Sequence, residues 1–146
     1  MVRQKDALAA SFDEGGFSSF GDYLTPERNV KATSAVPEVA WRRLRADQLR
    51  ERAEANAIAI VPVGSLEQHG PHLPVEVDTL LVETVALETA RRMALRVSVV
   101  VLPCVWTGIS EHHMLFGGTV TLGFPTFLAL FSDICHSLVR AGFKRT

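Results

Sequence analysis

From Pro37 onward the chain alternates between short unbroken apolar runs and longer segments in which apolar positions recur at helical spacing. The runs are Ile58-Ala-Ile-Val-Pro-Val63 and Val97-Ser-Val-Val-Val-Leu-Pro103. Both are rich in β-branched residues, the pattern of strands covered on both faces in a parallel sheet. Between them, Thr79 to about Leu95 carries Leu81, Val85, Leu87 and Met93 among small alanines, which predicts a helix with most of its faces covered by packing. A last helix is predicted from Pro125 to about Ala141, opened by proline and closed by Gly142, with Phe127, Phe131, Ile134 and Leu138 in a broad apolar stripe that needs a sheet to cover. Upstream, Pro37 stands at the first turn of a helical piece leading into Trp41 and Leu44, and Asp47 is placed to recap a second piece through Leu49 to Ala55. Strand, helix, strand in this order predicts a right-handed parallel crossover. The expected fold class is therefore α/β, a layered α/β/α domain with a mostly parallel sheet.

Residues 1–35 lack both helical periodicity and an apolar core stretch, and read as a flexible N-terminal extension to a domain over residues 36–146. Phe12, Phe17, Phe20 and Tyr23 qualify that reading, since four aromatics in twelve positions can also dock on a neighbouring surface. The composition, 47% hydrophobic and 21% charged over 146 residues, suffices for one core of ordinary size. A net charge of −1 without a basic block gives no reason to expect nucleic-acid binding, and no segment is apolar for long enough to span a membrane. Cys104 and Cys135 lie in apolar surroundings and read as reduced core thiols of a cytoplasmic protein.

Candidate chemistry is concentrated just after the first strand. Gly64-Ser-Leu-Glu-Gln-His-Gly-Pro-His-Leu-Pro-Val-Glu-Val-Asp78 gathers Glu67, His69, His72 and Asp78 at a strand's carboxyl end, where open α/β sheets build their sites. In extended chain Glu67 and His69 point to one side, about 6.6 Å apart along the strand. Pro71, Pro74 and Gly70 shape a turn that can bring Asp78 back toward them. Mixed imidazole and carboxylate ligation suits Zn²⁺ or Mn²⁺ better than Ca²⁺ or Mg²⁺. Each residue also has a plainer reading: Asp78 as a helix N-cap, His72 as an exposed loop residue, Glu67 and His69 as surface groups.

Residues 64–74, followed by a short spacer and Asp78-Thr79, resemble the signature of the creatininase (creatinine amidohydrolase) family. Gly108-Ile-Ser-Glu-His-His-Met-Leu-Phe-Gly-Gly-Thr-Val-Thr-Leu122 is similar to the family's later Gly-x-Ser-x-x-His-x-x-Phe-Pro-Gly-Thr block, and the resemblance covers about residues 40 to 145. It implies a metal-dependent amidohydrolase with two divalent ions, Zn or Mn, in which Glu67 and His69 bind different ions, Asp78 bridges them, and a metal-activated water attacks a C–N amide bond. Creatinine, other cyclic amides, formamides and peptide bonds are the substrates that the resemblance allows, and the full-length protein is expected to be a homo-oligomer. His113 falls on the second block's histidine, a candidate on the substrate side or in support of the ligands, with a packed loop residue as the plainer reading. The second block is expected to border the Glu67 turn, with His113 or Ser110 facing the same cleft.

Two departures from the family pattern stand out. Phe116-Gly-Gly-Thr119 replaces Phe-Pro-Gly-Thr, exchanging a rigid turn for one that costs more entropy to order. The family's later Asn-Gly-His-x-x-Asn strand, which supplies further ligands, has no counterpart before Thr146, so the sequence reads as the N-terminal part of a domain, truncated where that strand begins. The alternative to an enzyme is a catalytically incomplete fragment acting as a structural or assembly partner.

Overall fold

The computed structural model describes residues 35–146. The expectation for residues 1–35, with its aromatic positions, lies outside the described residues apart from Ala35.

The first apolar run forms strand β1 (Ile58–Ile60) and the second forms β2 (Val99–Val101), paired parallel with Ile58 opposite Val99 and Ile60 opposite Val101. Single parallel bridges widen the sheet on both sides. Val39 accepts from the Val101 amide beyond β2, and Arg145 accepts from the Ala59 amide beyond β1. The chain segments therefore lie in the order Ala40, β2, β1, Arg145. The ladders are shorter than the apolar runs because Pro62 and Pro103 have no amide to donate, although Val63 rejoins Val105 further on.

Five further elements complete the domain: a 3-10 turn at Trp41–Arg43, α1 (Ala46–Glu54), α2 (Val77–Met93), a 3-10 helix at Glu111–Phe116 and α3 (Phe124–Arg140). α2 is the crossover between the two strands, beginning two residues before the expected Thr79. The helix expected from Pro37 is replaced by extended chain at Val39 and Ala40, which are buried at the sheet edge, where the bond to Val101 outweighs a marginal helical turn. Nor does Asp47 cap α1. Arg45 occupies that position, its amide donating to Gln48 Oε1 at 3.0 Å, while Asp47 sits in the first turn and pairs with the Arg45 guanidinium.

Alternation along β2 divides the core in two. Val100 packs with Ala53, Ala57, Ala59, Leu138 and Phe143 on the α1 and α3 side, closed by Trp41 against Phe143 at 5.1 Å between ring centroids. Val99 and Val101 pack with Val39, Ala86 and Ala90 on the α2 side. The result is an α/β/α arrangement. Coverage of the helices is thinner than their composition suggested: α2 buries Ala86 and Ala90, whereas Leu81 and Val85 are 58% and 63% exposed, and α3 buries Leu138 while Leu128 and Val139 face outward. Cys104 is half-buried and Cys135 exposed, so the second is no core thiol, and both are free. No helix among the described residues is long and apolar enough to cross a membrane.

Candidate metal centre

Beyond the β1 ladder the two strand ends leave the sheet together, Val105 donating to the Pro62 carbonyl at 2.9 Å and Gly64 to the Val105 carbonyl at 2.8 Å. The first turn of α2 packs directly onto this point. A Cβ on Gly64 would stand 2.8 Å from Thr79 Cα, closer than two carbons approach, so only glycine admits the helix here. The Thr79 hydroxyl fastens the contact by donating to the Ser65 carbonyl at 2.9 Å. Asp78, one residue earlier, is thereby held against the turn. It is not an N-cap: Glu76 occupies the cap position, and no side chain caps the helix.

Within the turn, His69 Nδ1 lies 2.9 Å from the backbone carbonyl of Glu67. A carbonyl only accepts, so Nδ1 carries the proton, and in the neutral ring Nε2 presents a bare lone pair. That Nε2 faces Asp78 Oδ1 at 3.5 Å. One donor atom each from Glu67, His69 and Asp78 lies within 4.8 Å of the others. The spacing suits a cation, because two ligands each about 2.1 Å from one tetrahedral ion stand roughly 3.4 Å apart. His72 is exposed and outside this group, as its plainer reading held.

The second motif supplies the far wall. Val120 donates to the Leu66 carbonyl at 2.9 Å, and the Gln68 amide donates to Thr119 Oγ1 at 3.2 Å, so the two loops border one another as expected. Ser110, fully buried, donates its hydroxyl to Glu67 Oε2 at 2.5 Å. This bond holds the Glu67 carboxyl below its ordinary range; burial opposes it, and the His113, His112 and His69 rings act in the same direction as Ser110. His113, on a 3-10 helix over Glu111–Phe116, places Nε2 3.6 Å from Glu67 Oε1 and Nδ1 2.8 Å from Gln68 Nε2. Both candidates from the second motif thus face the cleft. Gln68 was not singled out from the sequence: it stands between two ligand candidates, but its partners are Gly70 and the distant His113.

The Gly-Gly departure has a structural counterpart. Gly117 and Gly118 adopt φ of 75° and 72°, and proline, fixed near −65°, cannot occupy the first. The turn is therefore a different backbone path, not a looser version of a proline turn. Beside the cluster lies an open cavity of about 630 Å³ lined by Val63, Ser65, Leu81, Ile109 and Phe127, with Asp78 as its charged member.

Residues 42–146 match the family model described as creatinine amidohydrolase. The chain is 32% identical over 99 residues to the 3-dehydro-scyllo-inosose hydrolase of Thermotoga maritima, covering 67% of this chain and 30% of the relative. It is 31% identical over 115 residues to the creatinine amidohydrolase of Pseudomonas putida, covering 75% and 41% respectively. Among solved structures, a manganese form of creatininase superposes with a TM-score of 0.69 at 30% identity, covering 75% of this chain and 43% of that one. The chain thus spans less than half the length of each of these relatives.

Proposed function

The chain belongs to the creatininase family, and from that premise we propose that Glu67, His69 and Asp78 are its contribution to a divalent-metal centre for amide hydrolysis. The observation that carries this reading is the His69 ring, whose proton is committed to the Glu67 carbonyl so that its lone pair faces the Asp78 carboxylate at 3.5 Å. Such an anchored histidine is the usual form of a metal ligand. Nitrogen and carboxylate donors together favour Zn²⁺ or Mn²⁺. When bound, two such ions supply an activated water and polarise an amide carbonyl.

The chain's own residues then have distinct tasks. Asp78, fixed by the first turn of α2, would be the carboxylate shared by the two ions, and Glu67 and His69 would each contribute a donor to one of them. Ser110 orients Glu67 by occupying Oε2 and leaves Oε1 free. The substrate is a small amide, creatinine or another cyclic amide or formamide, received in the cavity that Asp78 borders. The reading extends to a cytoplasmic protein, supported by the free thiols Cys104 and Cys135, and to a homo-oligomer at full length, supported by the outward-facing Leu80, Leu128 and Val139.

Three donors do not complete two coordination shells, so tight binding and turnover require further donors to join these three. Calorimetric titration of Zn²⁺ and Mn²⁺ into the protein and into His69→Gln and Asp78→Asn, with a hydrolysis screen over creatinine, cyclic amides and formamides, tests the reading. Binding that weakens in both variants supports it. Undiminished binding in both would place the ion elsewhere and sink it.

A further inference from the structure

Two histidines stand beside Glu67, His69 bonded to its backbone carbonyl and His113 bonded in turn to the Gln68 side chain. The Gly70 amide lies 2.9 Å from the Gln68 side chain. A backbone N–H only donates, so the Gln68 atom beside it is the carbonyl oxygen, and the other end of the side chain is NH₂. That NH₂ lies 2.8 Å from His113 Nδ1. It has no lone pair to offer, so Nδ1 must accept and carries no proton. The proton of the neutral ring is left on Nε2, the atom 3.6 Å from Glu67 Oε1. His69, by contrast, spends its Nδ1 proton on the Glu67 carbonyl and presents a bare Nε2.

We propose that Gln68 is a positioning residue that locks His113 as its Nε2–H tautomer, making His113 a hydrogen-bond donor directed into the site beside Glu67 and excluding it as a metal ligand. The lock is itself anchored. The Gln68 backbone N–H donates to Thr119 Oγ1, whose hydroxyl reaches the His113 carbonyl at 3.4 Å, and the His113 backbone N–H donates to the Ser110 carbonyl at 2.9 Å. The spacing of 3.6 Å exceeds a direct hydrogen bond, which leaves the N–H free for an oxygen lying against Glu67. In amide hydrolysis that oxygen is the substrate carbonyl, which gains negative charge as the carbon becomes tetrahedral. This last step rests on the metal-site reading; the tautomer assignment stands independently of it.

Long-range ¹H–¹⁵N spectra of the histidine-labelled full chain at about pH 8, above the ordinary histidine range, decide the assignment. His113 is identified by the signals lost in His113→Asn. The expected result is protonated Nε2 and bare Nδ1 for His113, with the reverse for His69. Gln68→Glu places an acceptor beside Nδ1 and is expected to invert the His113 tautomer, while Gln68→Met, which removes both bonds, is expected to leave a mixture. A wild-type His113 protonated at Nδ1, or one unchanged in Gln68→Glu, overturns the proposal even if the other variant fails to fold. Added Zn²⁺ should perturb His69 Nε2 and leave the His113 proton in place. Loss of that proton to zinc overturns the proposal, whereas an unresponsive His69 counts against the metal-site reading and leaves the tautomer result to stand on the metal-free spectra.

Discussion

Ser110 Oγ lies 2.5 Å from Glu67 Oε2, so a hydroxyl of the second motif fixes the carboxylate of the first across 43 residues of chain. Removing it in Ser110→Ala leaves a part-buried carboxylate oxygen without its partner. Metal affinity is expected to fall about 10- to 100-fold, as when a ligand's supporting group is lost, and stability by about 1–3 kcal/mol. Because the bond depresses the Glu67 pKa, its stabilisation is fully present above the ordinary value of 4.5 and is lost as pH falls through the lower folded-state pKa. Urea denaturation of both proteins should therefore show a constant gap near neutrality that closes in acid. A gap that widens in acid would contradict the assignment.

Asp78→Asn separates ligand from cap. An N-cap would lose about 1 kcal/mol on such a change at most, and asparagine caps nearly as well. A ligand loses its charge. Zn²⁺ affinity is expected to drop at least tenfold while the metal-free unfolding midpoint hardly moves, since Asp78 caps nothing and asparagine preserves its shape. Equal Zn²⁺ affinity in the two proteins would show that Asp78 takes no part.

Legibility from sequence followed the range of the interactions involved. The β1-α2-β2 crossover was readable because unbroken apolar runs around a helical segment have few other solutions. Val39 and Ala40 were not, because their place depends on a bond to Val101, some sixty residues away. Asp78 was ambiguous in principle, since a cap and a ligand both sit at a helix start, and the placement of Glu76 at the cap position removes the first of the two. The outward Leu81 and Val85 show a further limit: periodicity reports which residues are apolar and not what covers them. Gln68 was silent because its role depends on a donor two residues on and an acceptor 45 residues away.

Gly117→Pro restores the family's Phe-Pro-Gly-Thr and would be expected from sequence alone to stiffen the turn. The φ of 75° at Gly117 predicts the opposite. The loop must change path, which is expected to cost more than about 1 kcal/mol and to disturb the Thr119 bonds to Gln68 and His113. A rise in the unfolding midpoint with unaltered His113 signals would show that the turn accepts proline.

Gly64→Ala probes the contact that sets the site. Its Cβ would meet Thr79 Cα at 2.8 Å and Thr79 N at 3.0 Å, and backbone atoms at the head of a helix cannot swing aside as a long side chain would. The first turn of α2 must retreat, at a cost of about 1–3 kcal/mol for overpacking. Asp78 retreats with it, widening the 3.5 Å approach to His69 Nε2. Zn²⁺ affinity is therefore expected to fall in a protein whose three ligand candidates are all intact. Ser65→Ala is the control for this region, because Thr79 bonds the Ser65 backbone carbonyl and not its side chain. If Gly64→Ala bound Zn²⁺ as the unaltered protein does, the strand-to-helix contact would not be what positions Asp78.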